Sequence, residues 1–173
     1  MAKNKLEKFI RDIPDFPKKG IIFKDITTLL SDPKAFRQAV DAMAKGFKNK
    51  KIDYVVSVEA RGFIFGSALA YKLNAGFVPV RKKGKLPSKT KSVTYDLEYG
   101  TDTLEIHSDA IKKGACVLIV DDLLATGGTV SATAKLLKGF RAKIVGIAFL
   151  IELDFLNGRK NLKGFPITSL IHY

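Results

Sequence analysis

Val117–Thr129 reads VLIVDDLLATGGT: an apolar run drives straight into two adjacent aspartates, and a small-residue turn with two glycines follows. The apolar run has the length and β-branched character of a buried central strand. The turn opens a helix whose apolar positions are Val130, Ala134 and Leu137. A strand that passes at once into a helix is half of a parallel crossover unit, so this stretch predicts a parallel sheet with helices on its faces. The carboxylates repel anions and the turn attracts them. One ligand carrying both hydroxyls and phosphate satisfies the two halves together.

The same alternation recurs on either side. DYVVSVE (Asp53–Glu59) reads as a buried strand, followed by a glycine turn and an apolar helix from Phe63 to about Leu73. GFVPV (Gly76–Val80) is a short strand, KIVGIAFLIE (Lys143–Glu152) a longer one, and ITSLI near the end an edge strand. SDPKAFRQAVDAMAKGFKNK opens with cap-type Ser31 and Asp32 and with Pro33 at a first helical position. Phe36, Ala39, Val40, Met43 and Phe47 then share one helical face. Together these elements predict an α/β fold with a mainly parallel central sheet flanked by helices. Ligands of such sheets sit beyond the carboxyl ends of the strands. Glu59–Phe63, Arg81 onward and Asp121–Thr129 all fall there, which predicts one shared site. Arg81–Tyr95 shows no apolar period before Val93 and is expected to be a structureless lid.

The 173 residues predict one domain, and no apolar run approaches the ~20 residues of a membrane span. The N-terminus has no signal-peptide core, and the single cysteine, Cys116, excludes an internal disulfide; both fit a reducing cytoplasm. Cys116 lies in an apolar run and reads as a small buried hydrophobe. The formal charge of +13 raises a polyanionic partner, nucleic acid first. Part of it, Lys48–Lys51, is a solvated helix end. Another part, RKKGKLPSKTK (Arg81–Lys91), has no acidic residue and can grip RNA or close over a small phosphorylated substrate. No RNP-like aromatic motif accompanies it, which places a nucleic-acid-binding regulator below an enzyme. His107 and His172 stand apart from other ligand-type residues, and no direct metal ligand is assigned.

The turn chemistry is specific. Ala125, Thr126, Gly127, Gly128 and Thr129 join a strand end to a helix start, where unpaired N–H groups and the helix dipole favour an anion. No lysine follows the glycines, so this is not a P-loop, and GxGxxG is absent. Asp121 and Asp122 can bind a metal directly or accept hydrogen bonds from vicinal hydroxyls; the bland alternative is that Asp122 caps a turn. The loop begins three residues further on, about the span of a ribose 5-phosphate. Two acceptors for hydroxyls and one cradle for a phosphate make a sugar-phosphate site.

VLIVDDLLATGGT resembles the phosphoribosyl-diphosphate signature of type I phosphoribosyltransferases. FPKKGIIFKDITTLL (Phe16–Leu30), VEARGFIFG (Val58–Gly66), VPVRKKGKLP (Val78–Pro87) and YDLEYGTDTLEIH (Tyr95–His107) resemble the adenine-using branch of that family. The resemblance implies the type I fold with a small N-terminal hood over the base, about residues 1–30, and a mobile loop. It implies a homodimer and transfer of the phosphoribosyl group to adenine, giving AMP and diphosphate, with Mg²⁺ held through substrate and water. By the same resemblance Glu59, Ala60 and Arg61 form the diphosphate loop, joined by Arg81, Lys82, Lys85 and Tyr99. A lone arginine there would otherwise read as a surface ion pair. Glu98 corresponds to a general acid near the base, where the residues alone read as an exposed loop glutamate. Ile22, Phe23 and Lys24 correspond to the adenine-recognition segment. Relatives carry arginine at the position of Lys24, and a lysine cannot reproduce that planar fork. Another base, hypoxanthine, guanine or orotate, would leave the sugar-phosphate half unchanged.

Overall fold

The computed structural model describes residues 5–96 and 100–173. Among the described residues, nine strands and four α-helices follow one another as β1 (Arg11–Ile13), β2 (Phe23–Asp25), α1 (Thr27–Ser31), α2 (Pro33–Lys45), β3 (Tyr54–Val58), α3 (Gly62–Lys72), β4 (Gly76–Lys82), β5 (Thr90–Asp96), β6 (Thr101–His107), β7 (Cys116–Leu124), α4 (Gly128–Lys138), β8 (Lys143–Glu152) and β9 (Ile167–His172). Seven of the strands make one sheet in the order β5-β6-β4-β3-β7-β8-β9. The run from β4 to β9 is parallel, and the β5–β6 hairpin adds antiparallel to its edge at β4. β1 and β2 pair separately as a small antiparallel hairpin at the N-terminal end.

The strand alternation sorts the core into two layers. Val56 and Val58 of β3 join Val117 and Ile119 of β7 beneath α4, with Val130, Ala134 and Leu137 pressed onto them. Val55, Leu118 and Val120 face the other way, against Ala39 and Met43 of α2 and Phe65 and Leu69 of α3. Successive residues of a strand point to opposite faces, so a continuous apolar run fills both layers. Phe47, Phe65 and Phe149 are fully buried. Each such side chain contributes about 1.5–3 kcal/mol over its exposed state.

Helix α2 starts where its capping chemistry dictates. The Asp32 carboxylate accepts from the N–H groups of Lys34 (2.9 Å) and Ala35 (2.8 Å), and Pro33 occupies the first turn. Ser31 instead closes α1.

Two expectations change. β4 runs on through Lys82 and β5 begins at Thr90, so the stretch without regular structure shrinks from Arg81–Tyr95 to residues 83–89. β5 carries only Val93 and Tyr95 as core-facing residues, alternating with exposed Ser92 and Thr94, and its register with β6, Thr90 opposite His107 through Asp96 opposite Thr101, orders the rest. Cys116 is half-buried rather than buried, because it opens β7, with its N–H donating to the Asp53 carboxylate at 2.7 Å. No helix among the described residues is long and apolar enough to cross a membrane.

Candidate functional site at the carboxyl ends of β4, β3 and β7

The order β4-β3-β7 places the carboxyl ends of three adjacent parallel strands side by side. β3 delivers Glu59, Ala60 and Arg61, β4 delivers Arg81 and Lys82, and β7 delivers the aspartates and the glycine loop. β7 does not stop at the aspartates: Asp121 pairs with Phe149 of β8 and Leu124 with Glu152. Both acids therefore sit on a strand held by its neighbours, more rigidly than a turn would hold them.

They converge on the start of α3. The Arg61 Nε lies 2.8 Å from Asp122 Oδ2, an ion pair around a carboxylate only 5% exposed. Asp122 Oδ2 nevertheless makes no aligned hydrogen bond, so it keeps acceptor capacity in a buried position. Gly62 lies so close to Asp121 that a β-carbon there would come 2.7 Å from Asp121 Oδ1, and only glycine fits. Asp121 Oδ1 accepts the N–H of Asp122 at 2.9 Å. Burial, and then the adjacent Asp122 carboxylate, push the Asp121 carboxyl well above its usual range. Burial also raises Asp122, opposed by the Arg61 guanidinium.

Arg61 also reaches the N-terminal hairpin. Its guanidinium carbon lies 5.0 Å from the centroid of the Phe23 ring, and Phe16 packs edge-on against that ring at 5.2 Å. Ile22 is exposed beside it. The Lys24 side chain is engaged elsewhere: its Nζ lies 2.8 Å from Asp12 Oδ1 and 3.5 Å over the Tyr173 ring.

Glu59 is a clamp. Its carboxylate accepts from Arg81 Nε and from the Lys82 N–H, each at 2.8 Å, and so ties β3 to β4. Burial alone would raise the Glu59 carboxyl; the Lys82 N–H and the Arg81 guanidinium outweigh it and hold the carboxyl below its usual range. Arg81 also donates to the Lys85 carbonyl at 3.1 Å, while the Lys82 ammonium lies 3.2 Å from Asp102. The Glu59–Ala60 peptide bond is cis. Glu98 and Tyr99 lie outside the described residues.

The glycine loop has the geometry of an anion cradle. Gly127, at φ +81°, is the N-cap of α4, and the Ser131 N–H is the first to return into the helix, to the Gly127 carbonyl at 2.9 Å. The N–H groups before it belong to the unpaired first turn. Tyr95 of β5 sets its hydroxyl 3.4 Å from Thr129 Oγ1. Sequence reasoning missed the backing of this loop, where Asn161 Nδ2 donates to the Thr126 carbonyl at 2.8 Å and Gly158 packs on the Ala125 carbonyl. The Asn157-Gly158 turn pair was the available signal.

His172, which stands apart in the sequence, is brought to Asp154 (Nδ1 to Oδ1, 2.9 Å) by the pairing of β9 with β8. Glu152, Asp154 and His172 form the one three-residue group of metal-type side chains among the described residues. Glu152 in it is already neutralised by Arg159.

A phosphoribosyl transferase domain profile matches residues 25–164. The chain is 60% identical to the adenine phosphoribosyltransferase of Brachyspira hyodysenteriae over 97% of its length and 99% of the relative's. The crystal structure of adenine phosphoribosyltransferase from Thermoanaerobacter pseudethanolicus superposes with a TM-score of 0.95 at 56% identity, covering 98% of each chain. The Saccharomyces cerevisiae enzyme, crystallised with an imino-altritol bisphosphate and adenine, superposes with a TM-score of 0.91 at 42% identity over 96% of this chain and 97% of that one. The chain belongs to the phosphoribosyl transferase domain family and, within it, to the adenine phosphoribosyltransferases.

Proposed function

We propose that this protein transfers the 5-phosphoribosyl group of phosphoribosyl diphosphate to adenine, releasing AMP and diphosphate in purine salvage. The observation that carries the reading is the adjacency of Asp121, Asp122 and the 125–129 loop on one rigid strand end, with Arg61 joining them to Phe23. A nitrogen of adenine bonds to the ribose C1 and gives up its proton as the C1–O bond breaks, and the electron pair of the C1–O bond leaves with diphosphate. Positive charge develops on the ribose ring, as in glycoside cleavage. Asp121 and Asp122 are fixed acceptors for the ribose hydroxyls and favour that charge.

Ala125, Thr126, Gly127, Gly128 and Thr129 receive the 5-phosphate. Glu59, Ala60 and Arg61, with Arg81, Lys82, Lys85 and Tyr99, receive the diphosphate, Glu59 acting by holding Arg81 in place. Ile22, Phe23 and Lys24 receive adenine, Lys24 through its backbone, and Glu98 acts as general acid at the base. The donor set near the diphosphate fits Mg²⁺: two neighbouring carboxylates, one with an unfilled lone pair, offer oxygen-only outer-shell support to a hydrated ion. Mg²⁺ bound with the substrate offsets the charge of the leaving diphosphate.

The whole chain acts as one unit, with residues 1–30 as a hood over the base, and works in the cytoplasm as a homodimer. The dimer reading rests on α3, which is apolar nearly all round. Ile64 and Tyr71 (91% exposed) lie uncovered on its outer side, and Phe77 of β4, which packs edge-on against Phe63, is exposed as well; such a helix is ordinarily buried on both faces.

The test is nucleotide formation by the purified chain with Mg²⁺ and phosphoribosyl diphosphate, offering adenine, hypoxanthine, guanine and orotate separately. AMP formation with adenine alone is expected. Turnover of a different base would overturn the roles of Phe23, Lys24 and Glu98. No turnover with any base would overturn the transferase reading.

A further inference from the structure

We propose that Asn161 is a positioning residue for the 5-phosphate, acting through the peptide plane between Thr126 and Gly127. The inference rests on the reading of residues 125–129 as the phosphate cradle. A trans peptide unit is planar, and its C=O and N–H point in opposite directions. Asn161 Nδ2 holds the Thr126 carbonyl at 2.8 Å from behind, which fixes the Gly127 N–H on the other side of the loop. The preceding peptide is confined sterically: Gly158 packs directly on the Ala125 carbonyl, which limits the swing of the Thr126 N–H. The contact is reciprocal, because a β-carbon on Gly127 would come 2.6 Å from the Gly158 carbonyl. The two N–H groups at the centre of the cradle are thus aimed by a segment more than thirty residues away.

That segment is itself anchored to the strand that carries the loop. Arg159 binds Glu152 through both ends of its guanidinium, Nε to Oε1 and Nη2 to Oε2, each at 2.7 Å. Glu152 is 4% exposed and stands opposite Leu124, the last residue of β7. The Leu153 N–H donates to the Leu124 carbonyl at 2.9 Å, and Leu162 is buried beneath α4. A two-point arginine fork on a buried carboxylate fixes direction as well as distance. Loop and buttress therefore hang from the same pair of strands and keep their relative position.

Without the Asn161 amide the Thr126–Gly127 peptide is free to rotate, and a donor is lost from the phosphate in ground and transition states alike. Such a loss raises KM and spares kcat. The experiment compares the parent with Asn161→Ala and with Asn161→Asp, which keeps the shape and removes the donor. Titration of ribose 5-phosphate and of diphosphate is measured calorimetrically, beside steady-state kinetics and thermal melting. Both variants are expected to bind ribose 5-phosphate about tenfold more weakly, with diphosphate affinity unchanged and KM for phosphoribosyl diphosphate raised at nearly constant kcat. Folded variants that bind ribose 5-phosphate as the parent does would overturn the role of Asn161. A loss spread equally over both ligands would also overturn it, as the mark of a merely structural residue. A parent that binds no ribose 5-phosphate would overturn the cradle reading as well.

Discussion

Asp121 and Asp122 are two adjacent carboxyls buried at a strand end, and their charge works against the fold that holds them. Burial and mutual repulsion raise the Asp121 carboxyl, so the folded state holds that proton more tightly than the unfolded chain does. Stability then falls as pH rises from the ordinary carboxylate range through the raised value. Asp121→Asn keeps the acceptor for the Asp122 N–H and removes the charge, and we expect it to raise the melting temperature at pH 7. Relief of about 1 kcal/mol corresponds to roughly 2–4 °C in a domain of this size. A melting temperature unchanged or lowered would contradict that account. Asp122→Asn is expected to leave the fold intact and to lower kcat/KM on the order of 10–100-fold. Unaltered turnover and substrate affinity in the folded variant would remove Asp122 from the mechanism.

The junctions between elements carry the next level. Asp25 ends β2, with its carboxylate accepting from the Thr27 N–H and hydroxyl and pairing with Arg11 at 2.6 Å. The Thr27 N–H first, then Arg11 and the Thr27 hydroxyl, hold this carboxyl down at about 2. A depressed carboxyl stabilises the fold above its ordinary pKa of about 4, and the contribution is lost as pH falls toward 2. Melting temperature against pH should fall less steeply between about pH 4 and pH 2 in Asp25→Asn than in the parent. Parallel curves would show that the junction does not report on acid stability. Gly158→Ala tests the buttress sterically. A β-carbon would meet both the Ala125 carbonyl and the Leu124 side chain, so a destabilisation of about 1–3 kcal/mol is expected. Denaturant midpoints equal to the parent's would mean that the loop gives way freely.

Across the whole molecule, the fold places two sets of positive charges. Lys45, Lys72 and Lys138 close the last turns of α2, α3 and α4, where cations complement the helix dipole. Arg61, Arg81, Lys82 and Lys85 gather at the carboxyl ends of β3 and β4, where the proposed diphosphate site lies. KM for phosphoribosyl diphosphate should therefore rise with salt as the Debye length shortens to about 8 Å, while KM for neutral adenine stays flat. Equal salt responses would remove steering from the account. The uncovered face of α3 sets a separate expectation. Tyr71→Glu should shift sedimentation from dimer toward monomer, and a parent that sediments as a monomer would refute the dimer.

The parallel sheet, the helix starts at Asp32 and Gly127 and the loop at Ala125–Thr129 were legible in the sequence, because each is written in neighbouring residues. An apolar run, a cap, or a glycine with positive φ needs no distant partner to be read. The convergence of Glu59, Arg81 and Asp121 was legible for a related reason, since parallel strands place their carboxyl ends together. The register of β5 with β6, the ion pair of Arg61 with Asp122 and the turning of Lys24 toward Asp12 and Tyr173 were decided only by the tertiary structure. So was the hold of Asn161 on Thr126. The three side-chain contacts each join residues more than ten positions apart, and the hairpin pairing of β5 with β6, though local, spans residues whose pattern alone does not set the register. Local chemistry wrote the loop at Ala125–Thr129 as a strand end, two glycines and a helix start, and long-range packing set Asn161 and Gly158 against its carbonyls.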